Sequence, residues 1–128
     1  MKVINPPSLL KPHGYNHGVL MPAGQLLFIA GQAGMIGDEL ESGFVDQFAA
    51  ALRNVRAVVE AAGGQIEHVA RLTIYVTDMS LYLQSREALA PAYREIFGHH
   101  YPVMSAIEVK GLIDPRLLVE IEATAVLP

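Results

Sequence analysis

One hundred and twenty-eight residues, 13.9 kDa and 52% hydrophobic content fit one domain over residues 1–128 with a substantial core, and exclude two domains or a disordered chain. A net charge of −4 with no Lys/Arg cluster leaves no electrostatic footprint for nucleic acid or an anionic membrane, and zero cysteines exclude disulfides, thiolate metal sites and a cysteine nucleophile. No apolar window reaches bilayer length, so the expectation is a soluble, cytoplasmic chain, while a mean hydropathy of +0.31 suggests apolar surface buried between subunits.

After an arm carrying Pro6, Pro7 and Pro12, the stretch Gly18–Gly31 reads as two short strands folded into a hairpin at Pro22-Ala23-Gly24. The glycine-rich run Gly31–Asp38 reads as an irregular loop where backbone comes close to something, and its spacing makes no nucleotide-binding fingerprint. Phe44, Phe48, Leu52, Val55, Val59 and Ala62 recur at helical spacing before Gly63-Gly64, which predicts a helix over 44–62. Alternation from His68 to Thr77 predicts a strand with Ala70, Leu72, Ile74 and Val76 on one face.

Ser80 is the expected cap of a second amphipathic helix, kinked at Pro91 and closed by Gly98. Tyr101–Val109 reads as a strand with Val103, Ser105, Ile107 and Val109 toward the core and Met104, Ala106 and Glu108 on the other side. A connector at 110–115 leads to a last strand, in which Leu117, Val119, Ile121, Ala123 and Ala125 oppose Glu120, Glu122 and Thr124. The resulting order, β-β-α-β-α-β-β, packs most simply as an α+β domain with two helices on one face of a mixed sheet. The other face, carrying Glu120 and Glu122, is expected to meet another subunit and enclose a polar cleft.

No metal-ligand spacing emerges: His13 and His17 lie in a glycine-containing loop, and His99-His100 lack a carboxylate partner pattern. No serine stands in a nucleophile elbow. His17 keeps functional weight beside Tyr15 in Gly14-Tyr15-Asn16-His17-Gly18. Glu120, a carboxylate beside apolar neighbours, could position a water or shuttle a proton; its plainer reading is an exposed or salt-bridged edge-strand glutamate.

Gly14–Gly18, Phe28-Ile29-Ala30-Gly31-Gln32, Val58–Gly63, Val76-Thr77-Asp78-Met79, Tyr101-Pro102 followed by Ser105, and Val119–Ala123 occur together and in this order. On these residues the chain resembles the YjgF/RidA (Rid) family over essentially its whole length. The resemblance implies a chorismate-mutase-like α+β fold and a homotrimer whose sheets form a central barrel. It also implies three intersubunit clefts for a small metabolite, and hydrolysis of reactive enamines and imines to ketoacids and ammonia with neither cofactor nor metal. By position it implies a pocket tyrosine at Tyr15, a water-positioning glutamate at Glu120 and a cleft-lining backbone at Gly31, with His17 and Ser105 in the matching pocket motifs.

Three positions depart from the deaminase pattern: Ala30 replaces a serine, Ala106 a frequent cysteine, and Met104 the arginine. A guanidinium fork holds a carboxylate by two charge-assisted hydrogen bonds, whereas a thioether offers neither charge nor donor. A carboxylate left buried and unpaired loses on the order of 3–5 kcal/mol. Met104 is then either a plastic filler of the subunit interface or a pocket floor reshaped for an uncharged ligand. Counting forward from Asp78 puts Arg86 near a family pocket asparagine, while counting back from Tyr93 and Phe97 puts Ala90 there. Arg86 is thus either a pocket cation or a solvated helix residue. Two functions stay open: water addition to a C=N or C=C–N bond directed by Glu120, and non-catalytic metabolite or partner binding on the same trimer. A ribonuclease role, also attached to relatives, conflicts with the acidic charge balance.

Overall fold

The computed structural model describes all residues from Met1 to Pro128. Strand β1 (Lys2–Ile4) pairs antiparallel with β2 (Gly18–Leu20), with Ile4 opposite Gly18, in a small separate sheet. This corrects the expected hairpin, because β2 does not fold back on β3 (Gln25–Ala33). Gly24 lies against the Leu127 carbonyl with no room for a Cβ, and Gln25 pairs with Leu127. The Pro22–Gly24 turn is therefore tied to the end of the last strand and carries the chain from one sheet to the other.

β3 continues through Gly31 to Ala33, with a bulge between Ile29 and Gln32, so the predicted loop is largely strand. A tight ribbon follows, β4 (Met35–Ile36) against β5 (Glu39–Leu40), turning at Gly37 with φ +60°. Helix α1 (Phe44–Ala61) spans the predicted range and buries Phe44, Phe48, Leu52, Val55 and Val59. It also buries Gln47, 2% exposed, whose Nε2 donates to the Glu41 and Arg116 carbonyls while its Oε1 accepts from the Leu118 amide. That side chain ties the start of the last strand to the helix layer.

A short 3₁₀ turn (Ile66–His68) leads into β6 (Val69–Val76), where a bulge between Val69 and Arg71 puts Val69 on the same buried side as Leu72, Ile74 and Val76. The predicted second helix is two helices, α2 (Met79–Gln84) and α3 (Arg86–Phe97), so three helices flank the sheet rather than two. Asp78, not Ser80, caps α2 by accepting from the Leu81 amide at 3.1 Å. The break falls at Ser85, whose Oγ donates to the Leu81 carbonyl at 2.7 Å. Pro91 lies inside α3 at an exposed position, and the helix runs through it from Arg86 to Phe97.

The main sheet runs β3-β8-β6-β7, with β8 (Val119–Leu127) antiparallel to both neighbours and β7 (Val103–Glu108) parallel to β6 at one edge. The register pairs Leu72 with Met104, Ile74 with Ala106 and Val76 with Glu108. Since Leu72, Ile74 and Val76 are buried under the helices, Met104, Ala106 and Glu108 share the helix-side face. Val103, Ser105 and Ile107 share the open face, where Ile107 is 44% exposed. The expected facing of this strand is reversed, because alternation fixes which residues go together and not which side they meet. No helix is long and apolar enough to cross a membrane.

Candidate functional site

On the open face β8 presents Glu120 and Glu122 beside the outward residues of β6, Tyr75 lying opposite Glu120 and Thr73 opposite Glu122. The bulge in β3 brings Gly31 under the half-buried Glu120 side chain, so that a Cβ at position 31 would stand 2.6 Å from the carboxyl carbon. A side chain at position 31 would push that carboxylate aside, so glycine is what lets it lie there, which joins two of the sequence-derived candidates. The Tyr75 hydroxyl donates to Glu122 Oε1 at 2.7 Å. That bond is the first cause holding the hydroxyl's pKa above its ordinary range, ahead of burial and of the charges on Glu122 and Glu120. Tyr75 is therefore fixed as a protonated donor. A cleft of about 460 Å³ opens here, bordered by Ala30, Arg71, Thr73 and Glu122.

On the helix side a cavity of about 380 Å³ lies between α3 and Tyr101, with Leu89 and Met104 among its apolar lining. Arg86, Ala90 and Arg94 face it from α3. Both countings that left Arg86 and Ala90 as alternatives thus lead to the same cavity, one helical turn apart. Burial raises the Tyr82 hydroxyl's pKa there, while the nearby Arg86 charge acts in the opposite direction. Tyr93 stacks on Tyr101 at 5.3 Å between ring centres and donates to the His100 carbonyl at 2.7 Å. Burial, joined by the charge of Tyr101, drives the Tyr93 hydroxyl strongly upward, so it remains a donor.

The arm carrying Tyr15 and His17 is pinned beside this cavity. Asn16 Nδ2 donates to the Tyr101 carbonyl at 2.5 Å, and its amide donates to the Pro102 carbonyl at 3.3 Å. Tyr15 meets His17 edge-on at 5.4 Å, while His17 Nε2 pairs with the Leu10 carbonyl at 2.6 Å and its amide donates to Asn5. His17 is held by the arm it stabilises. Tyr15 borders a shallow recess with Lys11, His13 and Tyr101, and His13, Gly14 and Tyr101 also border the Met104 cavity.

The candidates thus fall into three places. Glu120, Gly31, Ala30 and Ser105 lie on the open face; Met104, Ala106 and Arg86 lie on the helix side; Tyr15 and His17 lie on the arm that Asn16 ties to Tyr101 and Pro102. Within one chain the sheet separates Glu120 from Met104. Sequence reading missed the Tyr75–Glu122 pair, although both residues sit on polar faces of alternating strands, and it missed Arg94 and His13 at the cavity rim.

The family model described as Endoribonuclease L-PSP matches residues 8–127. A RutC family protein from Pyrococcus horikoshii is 37% identical over 107 residues, 80% of each chain. A 2-iminobutanoate/2-iminopropanoate deaminase from Capra hircus is 30% identical over 115 residues, 88% of this chain and 79% of that one. The crystal structure of YyfB from Yersinia pestis, described as a protein of unknown function of the conserved Rid family, shares a TM-score of 0.87 at 35% identity over 98% of both chains. With a family match over nearly its full length and this fold, the chain belongs to the YjgF/RidA (Rid) family, the one described as Endoribonuclease L-PSP.

Proposed function

We propose that this protein is a cofactor-independent, deaminase-like hydrolase of small imines or enamines, acting in the cytoplasm as a homotrimer with its site between copies. The observation that carries this reading is the Glu120 carboxylate set over the Gly31 backbone on an uncovered sheet face. The exposed apolar residues of that face, Leu26 at 63%, Phe28 at 76% and Ile107 at 44%, call for a covering partner. β3 and β7 are opposite edges of the sheet, so copies set side by side bring one copy's β7 edge, with Met104, toward another's Gly31 and Glu120.

In such a cleft Glu120 accepts a proton from water as the water oxygen adds to the electrophilic C=N carbon, and the imine nitrogen takes up a proton. The resulting carbinolamine expels ammonia as its C–N bond breaks and a carbonyl forms. The net change is one water consumed and one ammonia released, with no redox step. Met104 supplies no partner for a carboxylate beside the reacting carbon, so simple 2-imino acids are poor substrates. The second reading, a metabolite-binding protein without turnover, is favoured by three inert side chains at the family's pocket positions, Ala30, Met104 and Ala106.

Ketoacid release from enzymatically generated 2-iminopropanoate separates the two. Met104→Arg is expected to raise the rate about tenfold or more over wild type, and Met104→Arg with Glu120→Gln to return it to background while the assembly persists. No gain from Met104→Arg, or an unchanged rate on adding Glu120→Gln, would overturn hydrolysis and leave the binding reading.

A further inference from the structure

We propose that the helix-side cavity binds an organic anion with a flat apolar body, its charge held by Arg86 and Arg94 of α3. This names the ligand class for the cleft proposed above and relies on that reading for the reaction, while the binding stands on the cavity itself. The lining combines three basic side chains, Arg86, Arg94 and His13, with the rings of Tyr82, Tyr93 and Tyr101, and includes no Asp or Glu. In a protein of net charge −4, two arginines on a lining that has no carboxylate of the same chain make a local selection for anions.

Neither arginine is neutralised within the fold. The two ion pairs of the chain are Arg56–Glu60 and Arg116–Asp114, and neither involves the cavity. Arg86 Nε donates to the Leu83 carbonyl at 3.1 Å, which orients the guanidinium while engaging one of its five N–H donors. Arg86 belongs to the first turn of α3 and Arg94 to the last, about 12 Å apart along the axis at helical rise.

The cavity's apolar side is equally specific. Met104, Leu89 and Ala90 give it aliphatic surface, and Tyr101, its ring held 8° from parallel against the buried Tyr93, adds an aromatic side chain to the wall. Aromatic faces recognise flat apolar bodies, and guanidinium groups at the rim recognise a carboxylate projecting from one. A methionine at position 104 is then the apolar floor beneath the body, and the charge recognition has moved from the sheet edge to the helix.

Titration calorimetry with 3-phenylpropionate and its neutral amide, 3-phenylpropanamide, tests this on the whole protein. The acid is expected to bind about tenfold more tightly than the amide, and Arg86→Gln with Arg94→Gln to remove that preference while leaving the amide's affinity unchanged. Both arginines are exposed, so the variant should keep its circular dichroism spectrum and melting temperature. Failure of the acid to bind at millimolar concentration, equal affinity for acid and amide, or an unchanged preference in the double variant would each overturn the anion site. Glu120→Gln should leave acid binding intact, so loss of turnover there with binding retained separates the hydrolytic role from the anion site.

Discussion

The two faces of the four-stranded sheet are built from the same strands and obey different rules. Under the helices, Leu72, Val76, Val119, Ile121 and Ala125 are 0% exposed and interchangeable in chemistry, differing only in shape. On the other face, Glu120, Glu122, Tyr75 and Thr73 are paired by register and by hydrogen bonds, while Leu26, Phe28 and Ile107 stay open. The covered face is fixed by burial alone. The open face instead combines a carboxylate set over a glycine with exposed apolar residues that nothing in the chain covers.

The sharpest way to break this contrast is to truncate one large side chain on each face. Leu72→Ala is expected to cost about 2–5 kcal/mol in denaturant unfolding, since the residue is fully enclosed and the site cannot collapse. Phe28→Ala, at a residue 76% exposed, should change the stability of the dissociated chain by less than about 0.5 kcal/mol. Its effect belongs to sedimentation velocity, where the assembly should shift toward smaller species. Equal destabilisation by the two changes, with assembly unaltered, would mean that the open face is ordinary surface.

A smaller effect, confined to the site, is expected at Gly31. An alanine methyl there meets the Glu120 carboxyl carbon at 2.6 Å, so the carboxylate must swing away. Gly31 has no positive φ, so the backbone itself tolerates the change, and the fold should lose no more than about 1 kcal/mol. If Glu120 directs the water, turnover in the Met104→Arg background should fall by at least about tenfold. A rate within twofold of the parent would detach the carboxylate's position from the chemistry.

What the sequence makes legible follows from the same contrast. The helix at 44–62 and the last strand are plain in the spacing of Phe48, Leu52 and Val55 and of Val119, Ile121 and Ala123, because a single partner layer imposes one period. β7 is an edge strand of small and apolar residues, and nothing in Val103–Glu108 says which set meets the helices. Its register against Leu72 and Ile74 decides that, and the register is a long-range property. The Pro22–Gly24 turn misleads for a related reason, since its composition suits a hairpin while the close approach of Gly24 to Leu127 assigns it elsewhere. At the site, Glu120 and Gly31 are legible as a resemblance, whereas their contact depends on a bulge that alternation does not reveal. Arg86 stays ambiguous in sequence because the break at Ser85 disturbs the helical count; in the fold both Arg86 and Ala90 border the same cavity.

The smallest expected effect belongs to a carboxylate on neither face. Asp114, in the connector before β8, accepts from Arg116 Nε and Nη2 at 3.1 and 2.7 Å and from the Arg116 amide at 2.8 Å. The side-chain bond to Arg116, followed by the amide bond, lowers its pKa from the ordinary 3.8 to about 2. Because the folded value lies below the unfolded one, the pair's contribution is fully present above pH 3.8 and is lost as pH falls toward about 2. A carboxyl-detected NMR titration should therefore place the Asp114 midpoint near 2 in the wild type and move it upward in Arg116→Ala, stopping short of 3.8 because the amide at position 116 still donates. The pair is exposed, so the melting temperature at neutral pH should barely move. The loop does not depend on this pair alone: Gln47, reaching from α1, donates to the Arg116 carbonyl and accepts from the Leu118 amide at 2.8 Å. Acid should thus release Asp114 from Arg116 without shifting the start of β8, and the Leu118 amide resonance should stay in place through the transition. A Leu118 shift that tracks the Asp114 titration would show that this surface pair, rather than the buried glutamine, sets where β8 begins and so where Glu120 stands.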